Sequence, residues 1–276
     1  MRRFMPALCL CLLLLPLASL AFAPPAQIKL ESTSEWGGAA PQDVQAVLDS
    51  VVNAIAPYTS QHSLGTVIVR HSTDVPRSLY EKGEHGEYIV QISASGNFWA
   101  QYAYQFSHEM CHLMSNYELA PNNASHQQWF EEAICEAFSL FTLDQMAKQW
   151  AENPPYPHWQ VYAPHFSEYR QTNFDEPHRK LPTGMTLATW YQQNSPVLTA
   201  DPYAQERDLD EVVANQLLLV FAAKPENWVA LNYLNLGDDG ADKSLQSHLR
   251  DWQRNAPPDL QAPITQVRQL LLSSPE

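Results

Sequence analysis

Two histidines and a glutamate lie within the five residues "HEMCH" of this sequence. His108 and His112 are four residues apart, and Glu109 directly follows the first of them. On a helix these side chains fall within an arc of about 100°, so both imidazoles can reach one metal ion. A glutamate beside the first histidine can act on water at that metal. The pattern predicts a metal-dependent hydrolase site, but a chance match on a polar helix face is the alternative interpretation.

A third metal ligand is predicted on the next helix, within "WFEEAICE". Glu132 lies 20 residues after His112 and would complete a site of two histidines and one glutamate, with one position left for water. Glu131 is an alternative ligand one residue earlier. Glu136 lies one turn after Glu132 and could orient a ligand histidine through its other ring nitrogen. The alternative is that both glutamates belong to a solvated acidic helix face.

Together the two motifs resemble those of the gluzincin superfamily of zinc metallopeptidases, specifically its small peptidase MA-like proteins. The motifs of that family read HExxH and W-x-x-E-[GA], and "HEMCH" and "WFEEAICE" are similar to them. The resemblance implies a zincin-like fold and one zinc ion bound by His108, His112 and Glu132. It also implies that Glu109 is the general base and that Glu136 is a carboxylate supporting a ligand.

The same resemblance implies two further features of the site. One is a tyrosine that stabilises the tetrahedral intermediate, and "DPYAQERDLDEVVANQLLLVF" nominates Tyr203 for it, although Glu206 and Arg207 stand near where the family has a glycine. The other is a sheet edge along which an extended peptide lies, expected at the strand of residues 87–93. The Gly-x-Met-Glu-Asn motif of aminopeptidase relatives does not occur, so an endopeptidase is favoured.

Two cysteines stand in equivalent positions on the two predicted site helices. Cys111 and Cys135 each lie three residues after a predicted ligand, His108 and Glu132 respectively. A metal ion would bring these helices together, so we predict a disulfide between the cysteines, with two buried thiols as the alternative.

The first 23 residues have the pattern of a secretory signal peptide. "MRRF" is followed by an apolar run of about 13 residues, which is shorter than the roughly 20 needed to span a membrane. Cleavage is expected after Ala21 or Ala23, which would remove Cys9 and Cys11. We therefore predict a periplasmic or extracellular protein with no membrane span in its mature form.

The negative net charge of the chain argues against some classes of binding partner. Among 276 residues, 30 are acidic and 16 are basic, for a formal net charge of −14. Loss of Arg2 and Arg3 with the signal would make the protein more negative by two charges. We expect no nucleic-acid partner and no anionic membrane partner, and a peptide or protein substrate instead.

The pattern of apolar residues predicts an α+β fold, with a small mixed sheet packed on the active-site helix and a mainly helical C-terminal part. Predicted helices cover residues 42–56, 98–116, 127–150 and 204–223, and predicted strands begin at residue 65 and cover residues 87–93. Residues 24–150 would form the zincin-like part with the metal site. Residues 151–276 would form an irregular excursion rich in proline and aromatic residues and a helical C-terminal part of the same catalytic unit, with residues 153–202 irregular.

These features favour an exported zinc metallopeptidase. The alternative is a non-catalytic envelope or extracellular binding protein in which a zinc ion contributes to folding free energy. A coordination position left open for water would favour catalysis, whereas a fourth protein ligand would favour the structural role.

Overall fold

The computed structural model describes residues 26–59, 63–119, 127–201, 207–237, 240 and 243–273. Within these residues it confirms the predicted α+β class, with a small mixed sheet and a mainly helical C-terminal part. The predicted signal peptide, with its cleavage sites at Ala21 and Ala23, lies outside the described residues, as does Tyr203. None of the described helices is long and apolar enough to cross a membrane.

The sheet contains four strands in the order β1-β2-β4-β3. The first three in this order are parallel to one another, and β3 is antiparallel to β4. The strands are β1 (Gln27–Leu30), β2 (Thr66–His71), β3 (Arg77–Ser78) and β4 (Tyr88–Ile92).

The predicted sheet edge at residues 87–93 is wrong. β4 pairs with β2 on one side and with β3 on the other, where Ser78 stands opposite Val90. The last strand of the sheet on this side is therefore β3. Its two paired residues are too few to produce a recognisable alternation of apolar and polar side chains, so the pattern did not reveal it.

Eight α-helices occur among the described residues. They are α1 (Pro41–Thr59), α2 (Trp99–Met114), α3 (Gln128–Glu152), α4 (Ala163–Phe174), α5 (Leu187–Ala200), α6 (Arg207–Ala222), α7 (Leu245–Asn255) and α8 (Gln261–Leu272). Short 3-10 helices lie at Tyr117–Leu119, Pro157–Tyr162, Pro177–Arg179, Pro225–Tyr233 and Pro258–Leu260.

α3 is the central helix of the described fold. Helices α1, α2, α4 and α6 all pack against it, and its side chains are buried on every side over most of its length. This is the burial expected for a helix that is apolar around its whole circumference. Three glutamates nevertheless lie in its buried first turns, namely Glu131, Glu132 and Glu136. Buried carboxylates are costly without partners, so the neighbouring helices must supply them.

The predicted irregular excursion at residues 153–202 is also wrong, because it contains α4 and α5. Pro157, Pro164 and Pro177 occupy the first or second position of helical segments. A proline there removes an N–H group that has no partner within the helix, so these prolines mark helix starts. The periodicity was weak because α4 lies on the surface and buries little beyond Phe166.

Candidate metal centre

The two histidines of α2 point at the same small volume. His108 and His112 are one helical turn apart, both are buried, and their Nε2 atoms lie 3.2 Å from each other. Two ring nitrogens on adjacent turns and this close together can both bind one metal ion.

Glu132 of α3 brings its carboxylate to the same point. Its Oε2 lies 3.1 Å from His108 Nε2, and its Oε1 lies 3.5 Å from His112 Nε2. These three residues form a group whose donor atoms can hold one metal ion. Glu131, the alternative ligand, is not part of this group and instead contacts the other ring nitrogen of His112, with Oε1 2.7 Å from Nδ1.

The separations of the donor atoms can be compared pair by pair with those around a tetrahedral metal. Atoms bound at about 2.0–2.2 Å in a tetrahedral arrangement lie about 3.3–3.6 Å apart. The two imidazole nitrogens lie 3.2 Å apart, and Glu132 presents a different oxygen to each of them, Oε2 at 3.1 Å from His108 and Oε1 at 3.5 Å from His112. Three protein donors would leave the fourth tetrahedral position for a small molecule.

A carboxylate stands behind each histidine. Glu131 Oε1 lies 2.7 Å from His112 Nδ1 and also accepts a hydrogen bond from the Ser115 hydroxyl. Glu136 Oε2 lies 3.6 Å from His108 Nδ1, which is an electrostatic contact longer than a hydrogen bond. Carboxylates in these positions keep a proton on Nδ1 and leave Nε2 free to bind a metal.

The electrostatics of the group favour a cation. Burial lowers the pKa of His112, but the charge of Glu132 and the hydrogen bond with Glu131 outweigh it and hold that pKa well above its usual value. Burial raises the pKa of Glu132, but the charge on His112 and the hydrogen bond with His108 bring it well below its usual value. The carboxylates thus stabilise positive charge on the imidazoles, and a bound metal cation would take the place of those protons.

A disulfide joins the two helices that carry the predicted metal ligands. Cys111 of α2 and Cys135 of α3 form the predicted pair, with 5.2 Å between their Cα atoms. Each cysteine is fully buried and follows its ligand residue by less than one turn. The bond therefore limits how far His108 and Glu132 can separate.

Glu109 lies beside the ligand group, on the same face of α2. It is buried, and the Ser78 hydroxyl donates a hydrogen bond to its Oε2 at 2.9 Å. Burial raises the pKa of Glu109, and the charges on His112 and His108 only partly offset this, so the pKa lies above its usual value. A carboxylate whose pKa is shifted towards neutrality suits a general base.

Glu136 belongs to a buried network of charged groups. Arg179 Nη1 lies 2.7 Å from its Oε1, and Arg179 Nη2 lies 2.8 Å from Glu211 Oε1. The Tyr104 hydroxyl donates a further hydrogen bond to Glu136. Burial raises the pKa of Glu136, but neighbouring His108 and the charge of Arg179 lower it to about 2. Glu136 is thereby kept ionised behind His108.

Three residues of the site were not predicted from the sequence as functional. Ser78 lies on a two-residue strand and Arg179 in a short 3-10 helix, and neither has a recognisable pattern. Arg207 is the first residue of α6, and its Nη1 lies 2.7 Å from Glu132 Oε2. Two features of the sequence could have indicated Arg207. It lies at the start of the helix near which Tyr203 was nominated, and the chain has few basic residues.

The ligand group lies between two cavities. Both cavities are lined by Pro76, Glu109 and Arg207. The first is also bordered by Arg77 and Ser78 of the edge strand, His112 of α2 and Glu132 of α3. The second is also bordered by Val75, Tyr104, His108, Glu136 and Glu211. Glu109 and the ligand group are therefore reachable from solvent along a cleft beside β3.

Comparison with known proteins does not assign the site. No protein-family model matches the chain. No curated protein matches it either.

Proposed function

We propose that this chain is an exported, zinc-dependent peptidase of gluzincin type that hydrolyses peptide bonds within a chain. The observation that carries the proposal is the position of Glu109. Its carboxylate borders the same cleft as the three-donor group of His108, His112 and Glu132. A metal-binding group with a buried carboxylate beside it is what water-dependent hydrolysis requires.

The donor set supports zinc as the metal. Two imidazole nitrogens and one carboxylate are typical of catalytic zinc sites. Among the described residues the group has three donors, and Glu131, the alternative ligand, is engaged by His112 Nδ1 and Ser115. This supports an open fourth position and hence catalysis over a structural zinc site.

The edge strand supports a peptide as the substrate. Within the described sheet β3 is the last strand, and its residues Arg77 and Ser78 line the cleft next to Glu109. An extended peptide can pair with an edge strand through backbone hydrogen bonds, whatever its side chains. Such a peptide would lie with its backbone beside the ligand group.

Each residue of the site would have its own role in the reaction. Zinc, when bound, supplies a Lewis acid that polarises the scissile carbonyl and lowers the pKa of water. Glu109 accepts the proton of the attacking water and passes it to the nitrogen of the leaving amine. Ser78 holds the Glu109 carboxylate in place, and Glu131 and Glu136 hold the two histidines.

Export is supported by two independent features. The N-terminal pattern of a positive segment and a short apolar run predicts a signal peptide. The buried disulfide between Cys111 and Cys135 is of the kind that persists in oxidising compartments.

The proposal is tested by digesting a peptide library of mixed sequence with the purified protein. We expect internal cleavage by the zinc-loaded protein, loss of cleavage after removal of the metal with a chelator, and recovery when zinc is added back. Magnesium should not restore cleavage, because it prefers oxygen ligands and octahedral geometry. A zinc-loaded, folded protein that cleaves no member of the library would overturn the proposal.

A further inference from the structure

We infer that Arg207 is a catalytic residue of this site, whose guanidinium binds the substrate oxygen that becomes negatively charged during attack on the peptide carbonyl. The inference rests on the proposed peptidase function and adds to it the identity of the group that stabilises this charge.

The position of the guanidinium is the first argument. Arg207 Nη1 lies 2.7 Å from Glu132 Oε2, and the same oxygen lies 3.1 Å from His108 Nε2. A substrate atom held beside these donors would therefore be within reach of the guanidinium. Arg207 also lines both cavities that flank the ligand group, so it borders the cleft on either side.

The unused donors of Arg207 are the second argument. An arginine carries five N–H donors in a rigid fork. The contact with Glu132 is made by Nη1, and the side chain of Arg207 is 50% exposed, whereas that of Glu132 is 9% exposed. Because the side chain also lines both cavities, its other N–H groups are donors that a molecule in the cleft could engage.

Comparison with Arg179 and Arg77 supports the assignment of this role to Arg207. Arg179 is buried, and both of its terminal nitrogens are held by Glu136 and Glu211. Arg77 lines the cleft but forms a surface ion pair with Asp74, at 3.8 Å. Among these three, only Arg207 combines a contact on the ligand group with a half-exposed side chain.

In the proposed reaction Arg207 stabilises the charge that forms on the carbonyl oxygen. The oxygen of the attacking water forms a bond to the carbonyl carbon, and the electron pair of the C=O π bond moves to the carbonyl oxygen. The water proton passes to Glu109, and the new negative charge lies beside the Arg207 N–H donors. When the C–N bond breaks, the electron pair returns to re-form the carbonyl, and the proton passes from Glu109 to the amine nitrogen. A fixed donor that faces the developing charge lowers the barrier of the attack step.

The experiment compares zinc-loaded wild-type protein with Arg207→Met and Arg207→Lys. The control is Arg254→Met, at a residue of α7 whose side chain is 67% exposed and lines neither cavity. The substrate is a peptide found to be cleaved in the library. We expect Arg207→Met to lower kcat about 100-fold with KM changed less than about threefold, because one donor to the developing charge is lost. Arg207→Lys should be intermediate, and Arg254→Met should be close to wild type.

Two measurements that do not depend on turnover separate this role from simple support of Glu132. Zinc affinity, measured by competition with a chelator, should stay within about threefold of wild type in Arg207→Met. Phenylphosphonate, a small tetrahedral anion, should bind zinc-loaded Arg207→Met at least about tenfold more weakly than wild type. Thermal unfolding at the wild-type temperature would verify that the variants are folded.

Three results would each overturn this inference and leave the proposed function standing. They are a loss of kcat that merely follows a loss of zinc affinity, unchanged phenylphosphonate binding, and full activity of Arg207→Met. In the last case, Tyr203→Phe would test whether Tyr203 has this role instead. Absence of hydrolysis by the wild-type protein is a different result, because it would overturn the proposed function and this inference with it.

Discussion

The Ser78 hydroxyl donates a hydrogen bond to the Glu109 carboxylate, with 2.9 Å between Oγ and Oε2. This contact joins the edge strand β3 to helix α2, which carries His108 and His112. It ties the carboxylate proposed as the general base to the strand beside which a peptide would bind. Movement of β3 would therefore change the position of Glu109.

Replacing Ser78 with alanine should weaken catalysis without affecting zinc binding. A hydrogen bond to a charged group contributes about 1.5–3 kcal/mol, so we expect kcat to fall by about tenfold or more. The Ser78 hydrogen bond lowers the pKa of Glu109, and its loss should raise that pKa further. Glu109 must be ionised to accept a proton, so the acid limb of kcat/KM should move to higher pH.

The matched control is Ser78→Thr, which keeps the hydroxyl on a strand that tolerates a branched side chain. It should retain most of the wild-type kcat and the wild-type pH profile. Equal profiles for wild type and Ser78→Ala would show that this hydrogen bond does not act on the base.

Replacing Arg179 with methionine should destabilise the fold strongly. Arg179 is 3% exposed and pairs with Glu136 and Glu211, so its loss leaves two carboxylates without their cation. Breaking a buried ion pair costs about 3–5 kcal/mol. We expect a decrease of this size in the free energy of unfolding of the metal-free protein, measured with urea.

A surface ion pair supplies the comparison for Arg179. Arg254 Nη2 lies 2.9 Å from Asp251 Oδ1, and the side chain of Arg254 is 67% exposed. Arg254→Met should cost about 1 kcal/mol or less. Similar losses for Arg254→Met and Arg179→Met would contradict the assignment of Arg179 as the cation of a buried network.

The double replacement of Cys111 and Cys135 with alanine should lower both stability and zinc affinity. The bond closes a loop with a sequence separation of 24 and joins the helices that carry His108 and Glu132. Removal of such a crosslink costs about 3 kcal/mol in the chain-entropy description. Urea unfolding and chelator competition measure the two effects.

The state of these cysteines can be examined directly. In protein denatured without reductant, an alkylating reagent should leave Cys111 and Cys135 unmodified in a peptide map, and it should modify both after reduction. Modification of both residues without reductant would show that the native protein carries two thiols.

His248 makes stability depend on pH independently of the metal centre. Burial lowers its pKa to about 4, with the charge of Lys243 acting in the same direction. In the unfolded chain a histidine has a pKa of about 6.5, so below that pH the unfolded chain binds the proton more readily than the folded protein does. The free energy of unfolding should therefore fall by about 3 kcal/mol as the pH drops from about 6.5 to about 4.

The variant His248→Phe should lack this contribution. Above pH 7 the difference in unfolding free energy between wild type and variant should be constant, and below pH 6.5 it should shift steadily in favour of the variant. Urea unfolding of the metal-free proteins from pH 8 to pH 4 measures it. Parallel curves over the whole range would show that His248 does not titrate as a buried neutral residue.

The part of the site that could be predicted from the sequence is the part carried by local spacing. His108, Glu109 and His112 share one helix face, and the helical period alone places them together. Glu132 could be predicted as a ligand because it lies on the next helix, 20 residues after His112, and a glutamate there can complete a site of two histidines and one carboxylate. The structure places His108, His112 and Glu132 together as a group that can hold a metal.

The remainder depends on contacts between distant parts of the chain. Ser78 reaches Glu109 across 31 positions, and Arg179 reaches Tyr104 across 75. No periodicity within a short segment specifies such contacts. The two-residue strand β3 was not predicted because the alternation of apolar and polar residues needs a longer strand. The helices that begin at prolines were not predicted because a proline can mark either the end or the start of a helix.

The role of Glu109 can be measured most directly through the hydrolysis rates of wild-type protein and Glu109→Gln at equal zinc content. Both proteins should bind one zinc ion per chain, because Glu109 is not one of the three donors. The wild type should cleave the peptide identified in the library, whereas Glu109→Gln should cleave it at least about 1,000-fold more slowly, since the amide cannot accept the proton. Equal rates in the two zinc-loaded proteins would contradict the proposed mechanism.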